Sequence, residues 1–382
     1  MSAARLRSRN DLPQAKRIVI KIGSSSLTRD DGRLDGEAID VLADVIANAH
    51  RAGTEVVLIS SGAIAAGIEP LGLERRPSDL ATSQAAASVG QGLLVARYSA
   101  AFARHGITVG QALFTVDDII RRKSYRNAHR TLTRLLQLGV VPIVNENDTV
   151  ATHEIRFGDN DRVAAFVSHM VHAEALFLLT DVDSLYDGPP SQPGTQRIPE
   201  VHSLADLEGV LVTGRGSTVG TGGMVTKVQA AQIAAGSGIS VVVTSADRIR
   251  DALAGDDVGT WFAPTGKRQS TRILWLKHAA RPRGRLILDD GAVRAVVKRR
   301  TSLLAAGVTE VRGVFEARDP VDLVDRDGQV VGRGLVAFSS ADIPDMLGKA
   351  TAQLVESLGE DYGRQLVHRD DLAVLDPVTR DS

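Results

Sequence analysis

The sequence predicts an α/β fold, a mostly parallel sheet sandwiched by helices, followed by a small C-terminal β-rich domain. Three observations carry this. Apolar runs of strand length, such as Glu55-Val56-Val57-Leu58-Ile59 and Ala175-Leu176-Phe177-Leu178-Leu179, lack polar alternation and so mark strands buried on both faces. Segments of helical length separate these runs, as parallel connections require. Beyond about residue 271 the pattern changes to short strands broken by turn signals such as Asp290-Gly291 and Asp327-Gly328.

Taken in order, residues 1–16 are polar, carry several arginines and lack the apolar stretch of a secretory signal; they read as a disordered lead-in. Residues 17–23 form a first strand running into Ser24-Ser25-Ser26. Asp35 reads as the N-cap of a helix ending near Ala52-Gly53. Residues 55–59 are a second strand, ending in Ser60-Ser61-Gly62, and Ser78 reads as the cap of a long alanine-rich helix toward His105-Gly106. Residues 108–115 are strand-like, 124–138 helical, and 140–144 another buried strand. A polar loop leads to a helix reaching about His172, then a strand over 175–179 ending in Thr180-Asp181. A glycine-rich loop, 214–223, enters a helix over 224–235, and 239–244 is a further strand. Strand ends at Gly23, Ser61, Asn145 and Thr180 then share one sheet edge, where open α/β sheets bind ligands.

Residues 17–262 are thus one domain, 263–271 a linker with Pro264 and Gly266, and 272–382 the second domain. There the short runs 285–288, 295–297, 310–315, 321–324 and 330–336 read as strands before a helical tail. Net charge is -1, so no global field draws the chain to nucleic acid or membrane. Aromatics are only 4%, against base stacking, and no apolar run has the length of a membrane helix. The chain has no cysteine, which excludes disulfides and thiolate chemistry and fits a cytoplasmic protein.

Four features carry chemistry. Lys21 sits inside a buried strand, where desolvating an ammonium is costly. Either it lies at an edge with its amine in solvent, or it aims at an anion beyond the strand end. Asn145-Glu146-Asn147-Asp148 and Gly158-Asp159-Asn160-Asp161 are either turn clusters or a ligand site at a strand end. Gly220-Thr221-Gly222-Gly223-Met224-Val225-Thr226-Lys227 lets backbone approach a ligand and opens a helix N-terminus to an anion, although the Walker A spacing is absent. Lysines, glycine-rich turns and Asp/Asn clusters together suggest phosphoryl transfer, which needs positive charge and alignment more than covalent chemistry.

With these segments the chain resembles the glutamate 5-kinases, the two-domain members of the amino-acid kinases. The resemblance rests on Val19-Ile20-Lys21-Ile22-Gly23-Ser24, Ser60-Ser61-Gly62-Ala63-Ile64-Ala65-Ala66-Gly67, Val144-Asn145-Glu146-Asn147-Asp148, Phe157-Gly158-Asp159-Asn160-Asp161, the segment 178–186 and the 220–227 loop. It implies an amino-acid-kinase-type sheet and transfer of the ATP γ-phosphoryl group to the side-chain carboxylate of L-glutamate, the first step of proline biosynthesis. It implies that Lys21 and Lys227 stabilise the transferring group and Asp161 holds them. Ser61, Asp148 and Asn160, with Asn145 nearby, would bind glutamate. Thr180, Asp181, Thr221, Gly222, Gly223, Met224, Val225, Thr226 and Lys227, with Lys21, would line the nucleotide site. Mg²⁺ would bridge phosphate oxygens, with no protein ligand assigned. The loop from Asp187 to Gln192 departs from the Asp-Pro pattern expected there.

The second domain resembles a PUA domain, a fold found on RNA-modifying enzymes. Residues 272–300 hold nine Lys/Arg against two Asp, but from Thr301 onward eight Lys/Arg face fifteen Asp/Glu. That balance favours assembly or regulation over an RNA partner, although RNA binding or sensing through this domain stands as the alternative function. The resemblance further implies feedback inhibition by proline; a homo-oligomer and hand-off of the labile product to the next pathway enzyme are further expectations.

Overall fold

The computed structural model describes residues 6–29, 32–115, 118–119, 121–150, 160–190, 192–207, 223–266, 271–278 and 280–375. The chain divides into two compact units, Met1–Arg268 and Gln269–Ser382.

The first unit is built on an eight-stranded sheet ordered β3-β4-β2-β1-β5-β9-β10-β8. Its strands are β1 (Arg17–Ile22), β2 (Glu55–Ser60), β3 (Val109–Phe114), β4 (Val141–Glu146), β5 (Ala175–Thr180), β8 (Glu200–Val201), β9 (Ser240–Ser245) and β10 (Thr260–Phe262). Two short strands, β6 (Leu185–Tyr186) and β7 (Arg197–Ile198), pair apart from it. From β3 to β9 every pairing is parallel; β10 pairs antiparallel with β9, and β8 follows it, pairing parallel with β10. The apolar runs explain this, because β4, β5 and β9 are buried at every residue and need cover on both faces.

The helices supply that cover: α1 (Gly36–Arg51), α2 (Ala63–Ile68), α3 (Leu80–Ala103), α4 (Arg122–Gln137), α5 (Asn160–Met170), α6 (Met224–Ala235) and α7 (Ile249–Ala254). Asp35 caps α1, its Oδ1 accepting from the Glu37 and Ala38 backbone N–H groups. The cap of α3 is Asp79 and not Ser78: its carboxylate accepts from Thr82 N at 2.8 Å. Helices α2 and α3 meet backbone to backbone. A Cβ on Gly67 would lie 2.0 Å from Ala86 O, and one on Gly90 1.9 Å from Ala63 O. Gly62, at φ 102°, makes the sharp exit from β2 into α2 that a side chain would strain.

The strand order places the crevice. From β1 the chain steps to β2 on one side, and only later to β5 on the other. The C-terminal ends of β1, β2, β4 and β5 therefore share one edge around a topological switch point. Among the described residues no helix is long and apolar enough to cross a membrane.

The lead-in requires correction. Residues 9–14 form a 3₁₀ turn, and Leu6, Leu12 and Ala15 are buried. Arg9 is buried too, donating to the carbonyls of Pro199 and Val258. Its arginine and leucines dock on the sheet, a tertiary effect that a polar composition conceals. Residues 1–5 lie outside the described residues.

The second unit is a five-stranded sheet ordered β12-β11-β13-β14-β15. Its strands are β11 (Gly284–Leu288), β12 (Val308–Gly313), β13 (Pro320–Val324), β14 (Val330–Val336) and β15 (Val367–Val374), with helices α8 (Thr271–His278), α9 (Asp290–Val297) and α10 (Thr351–Leu358). Two expectations fail. Residues 295–297 belong to α9, because Asp289 accepts from Ala292 N and starts a helix before the apolar run. The tail is not helical after α10: β15 pairs antiparallel with β14 and carries Val367, Leu372 and Val374 into the core.

Candidate active site

The edge formed by β1, β2, β4 and β5 collects the polar residues that the sequence singles out. Lys21 lies one residue before the end of β1, between Ile59 of β2 and Leu178 of β5, so it is central and not at a sheet edge. Its amine reaches past the strand: a Cβ on Gly23 would sit 3.6 Å from Lys21 Nζ. That amine lies 2.6 Å from Asp161 Oδ1 in the first turn of α5. Asp161 Oδ2 lies 3.5 Å from Lys227 Nζ in the first turn of α6. The Thr226 hydroxyl stands 2.8 Å from both Asp161 Oδ2 and Gly223 O, and its one proton serves either.

All three charged groups are buried: Lys21 is 4% exposed, Lys227 6% and Asp161 0%. Burial alone favours neutral Asp161, but Lys21 and then Lys227 override it and hold the carboxyl below the usual carboxylate range. Burial likewise pushes the Lys227 ammonium below the ordinary lysine range, aided by Lys21 and opposed by Asp161 and more weakly by Asp181. Two lysines share one carboxylate, so the cluster keeps a surplus positive charge in a desolvated place. An anion from outside would neutralise it.

A second, neutral network adjoins through Asn160, the neighbour of Asp161. Asn160 Nδ2 donates to Ser61 Oγ at 2.8 Å and to Asn145 Oδ1 at 2.9 Å. Ser61 follows β2, Asn145 lies one residue before the end of β4, and Asn160 opens α5, so three connections converge on one point. Asp148 stands half-buried in the turn after β4. At the end of β5, the Thr180 hydroxyl donates to Asp181 Oδ1 at 2.9 Å.

The structure thus brings together Lys21, Asp161, Lys227 and Thr226, and beside them Ser61, Asn145 and Asn160. Gly223 stands in extended backbone at the N-cap of α6, and Met224 and Val225 are its first residues. Thr221 and Gly222 lie outside the described residues, as does Asp159. Two polar residues escaped the sequence reading. Gln91 of α3 accepts from Asn145 at 2.8 Å, and Tyr98 of α3 lies 2.9 Å from Ser60 Oγ. Their signal was a polar residue on a buried helix face otherwise made of alanine, glycine, leucine and phenylalanine. Among the described residues no group of three His, Asp or Glu side chains gathers to hold a metal ion.

Comparison with known proteins agrees with this geometry. Residues 16–245 match the amino acid kinase family and residues 284–358 the PUA domain. A glutamate 5-kinase of Streptomyces avermitilis is 60% identical over 379 residues, covering 99% of this chain and 100% of the relative. That of Streptomyces coelicolor is 59% identical over 371 residues, 97% of this chain and 99% of the relative. That of Salinispora arenicola is 60% identical over 368 residues, 96% of this chain and 100% of the relative. The chain belongs to the amino acid kinase family and, within it, to the glutamate 5-kinases.

Proposed function

We propose that the protein transfers the γ-phosphoryl group of ATP to the side-chain carboxylate of L-glutamate, giving L-glutamyl 5-phosphate for proline biosynthesis in the cytoplasm. The observation that carries this is the buried pair of lysines sharing Asp161, at 2.6 and 3.5 Å. Charge accumulates on the transferring group and its oxygens in the transition state, and preorganised cations in a dry site stabilise it there. Lys21 and Lys227 supply the charge; Asp161 fixes their positions. The acceptor carboxylate is its own nucleophile, so no general base is needed.

Ser61, Asn145, Asp148 and Asn160 hold the amino-acid end of glutamate, with Asp148 pairing its ammonium. Thr180, Asp181 and the 221–227 segment line the nucleotide. Mg²⁺ would come with the nucleotide and shield phosphate charge, with no protein ligand assigned to it. The chemistry belongs to residues 17–262. Residues 272–382 serve homo-oligomer assembly or the response to proline, and the labile product passes to the next enzyme of the pathway.

The test is ATP turnover with Mg²⁺, comparing L-glutamate, L-aspartate and N-acetylglutamate, with hydroxylamine trapping the acyl phosphate. A hydroxamate from L-glutamate alone is expected. Turnover with another acceptor, or with none, overturns the reading.

A further inference from the structure

Helix α3 carries two buried polar side chains on one face, Gln91 and Tyr98, seven residues and so about two turns apart. Each reaches the end of a strand at the active edge. Tyr98 meets Ser60 Oγ at the end of β2, and Gln91 Oε1 accepts from Asn145 Nδ2 at 2.8 Å near the end of β4. The second contact continues inward: Asn145 Oδ1 accepts from Asn160 Nδ2 at 2.9 Å, and that amide also donates to Ser61 Oγ.

One backbone group fixes the direction of this relay. The Glu146 N–H can only donate, and it meets Asn145 Oδ1 at 2.8 Å. Asn145 must therefore turn its oxygen toward Glu146 and Asn160 and its nitrogen toward Gln91. Gln91 answers with oxygen, and Asn160 with nitrogen. Two atoms are left over, Gln91 Nε2 and Asn160 Oδ1, both buried and without a hydrogen-bond partner among the described residues. Unpaired buried carboxamide atoms cost stability, so their persistence in a ligand crevice points to a ligand.

We infer that Gln91 is a positioning residue for recognition of the substrate's amino group. Acting through Asn145, it holds Asn160 with the carboxamide oxygen, an acceptor, free for the ligand. An α-ammonium donates to such an oxygen; a plain dicarboxylate has nothing to donate. Gln91 thereby sets the preference for an amino acid over the same dicarboxylate without its amine. The inference rests on the proposed reaction and deepens it.

The test uses the full-length protein as wild type, Gln91→Leu and Gln91→Glu, assayed with L-glutamate and with glutarate. Gln91→Leu is expected to raise the L-glutamate KM about tenfold and to narrow the preference over glutarate by a like factor, the worth of one hydrogen bond. Its kcat and ATP KM stay within about threefold. Gln91→Glu keeps an oxygen toward Asn145 and restores most of the loss. Unchanged KM and selectivity in Gln91→Leu overturn the inference. So does an equal loss for both acceptors accompanied by a lower Tm, which marks a merely structural role, and so does a Glu variant no better than Leu. A wild type inactive on L-glutamate defeats the reaction itself; an active wild type with an indifferent Leu variant defeats only the role of Gln91.

Discussion

Asp161 divides its carboxylate between two lysines from different parts of the chain, one oxygen to Lys21 of β1 at 2.6 Å and the other toward Lys227 of α6 at 3.5 Å. Removing the charge while keeping the shape isolates its contribution. Asp161→Asn leaves two buried ammonium groups facing each other with no counter-charge, and breaking a buried pair in this way costs about 3–5 kcal/mol. Urea denaturation should show that loss. Binding a polyanionic nucleotide should recover part of it, because phosphate replaces the missing carboxylate. A variant as stable as wild type without nucleotide contradicts the shared-charge account.

Lys227→Ala tests where the positive charge matters. Charge on the transferring phosphoryl group peaks in the transition state, so kcat is expected to fall about 10²–10³-fold, with a much smaller change in glutamate KM. Steady-state kinetics with L-glutamate varied at saturating ATP separates the two. An unchanged kcat removes Lys227 from the chemistry.

Burial holds the Lys227 ammonium below the ordinary lysine range. A group depressed in this way loses its proton earlier as pH rises, so activity should decline on the alkaline side before an ordinary lysine would titrate. In Lys227→Arg the guanidinium stays charged, and the alkaline limb should move upward even if the maximal rate is lower. Asp161 gives the opposite limb. Its carboxyl is depressed, so its stabilising contribution is present above the usual carboxylate range and is lost as pH falls through the folded value. Profiles of kcat and of unfolding free energy against pH check both signs.

The sheet was legible because its strands are uniformly apolar, and their ends were legible because polarity switches abruptly at Ser60 and Asn145. Lys21 was readable for the same reason, as a charge where a central strand should have none. Other features depend on distance in space. Arg9 docks onto carbonyls near residues 199 and 258, far along the chain, and nothing local marks that contact. Gln91 lies in an alanine-rich helix whose partner, Asn145, is 54 residues away. The apolar run at 295–297 misled because a strand and one turn of a capped helix look alike at that length. Phosphoryl transfer was legible in the chemistry of the lysines, glycine-rich turns and Asp/Asn clusters, but the joining of Lys21, Asp161 and Lys227 in one site came through resemblance, since spacing in sequence gives no sign that they meet.

Asp148 is the carboxylate assigned to the substrate ammonium. Asp148→Ala should raise the L-glutamate KM roughly tenfold to a hundredfold, the range for losing a charge-assisted hydrogen bond, with ATP KM nearly unchanged. Initial rates with each substrate varied in turn make the comparison. A loss confined to ATP affinity reassigns Asp148 to the nucleotide.

The contact between α2 and α3 underlies the placement of Ser61 and Gln91 alike. Gly67 and Gly90 allow it, since a Cβ on either would fall within 2.0 Å of a backbone carbonyl oxygen, where no rotamer change gives relief. Gly90→Ala must push α3 away from α2, an overpacking cost of about 1–3 kcal/mol or more. The shift also carries Gln91 away from Asn145, so Tm and glutamate affinity should fall together. Gly92→Ala is the control on the same helix, because a Cβ there meets nothing within 4 Å. Alanine exceeds glycine in helix propensity by roughly 1 kcal/mol, so that variant should be as stable as wild type or more so. If Gly90→Ala behaves like Gly92→Ala in both Tm and glutamate KM, the two helices are not in backbone contact, and the path from α3 to the active edge fails with it.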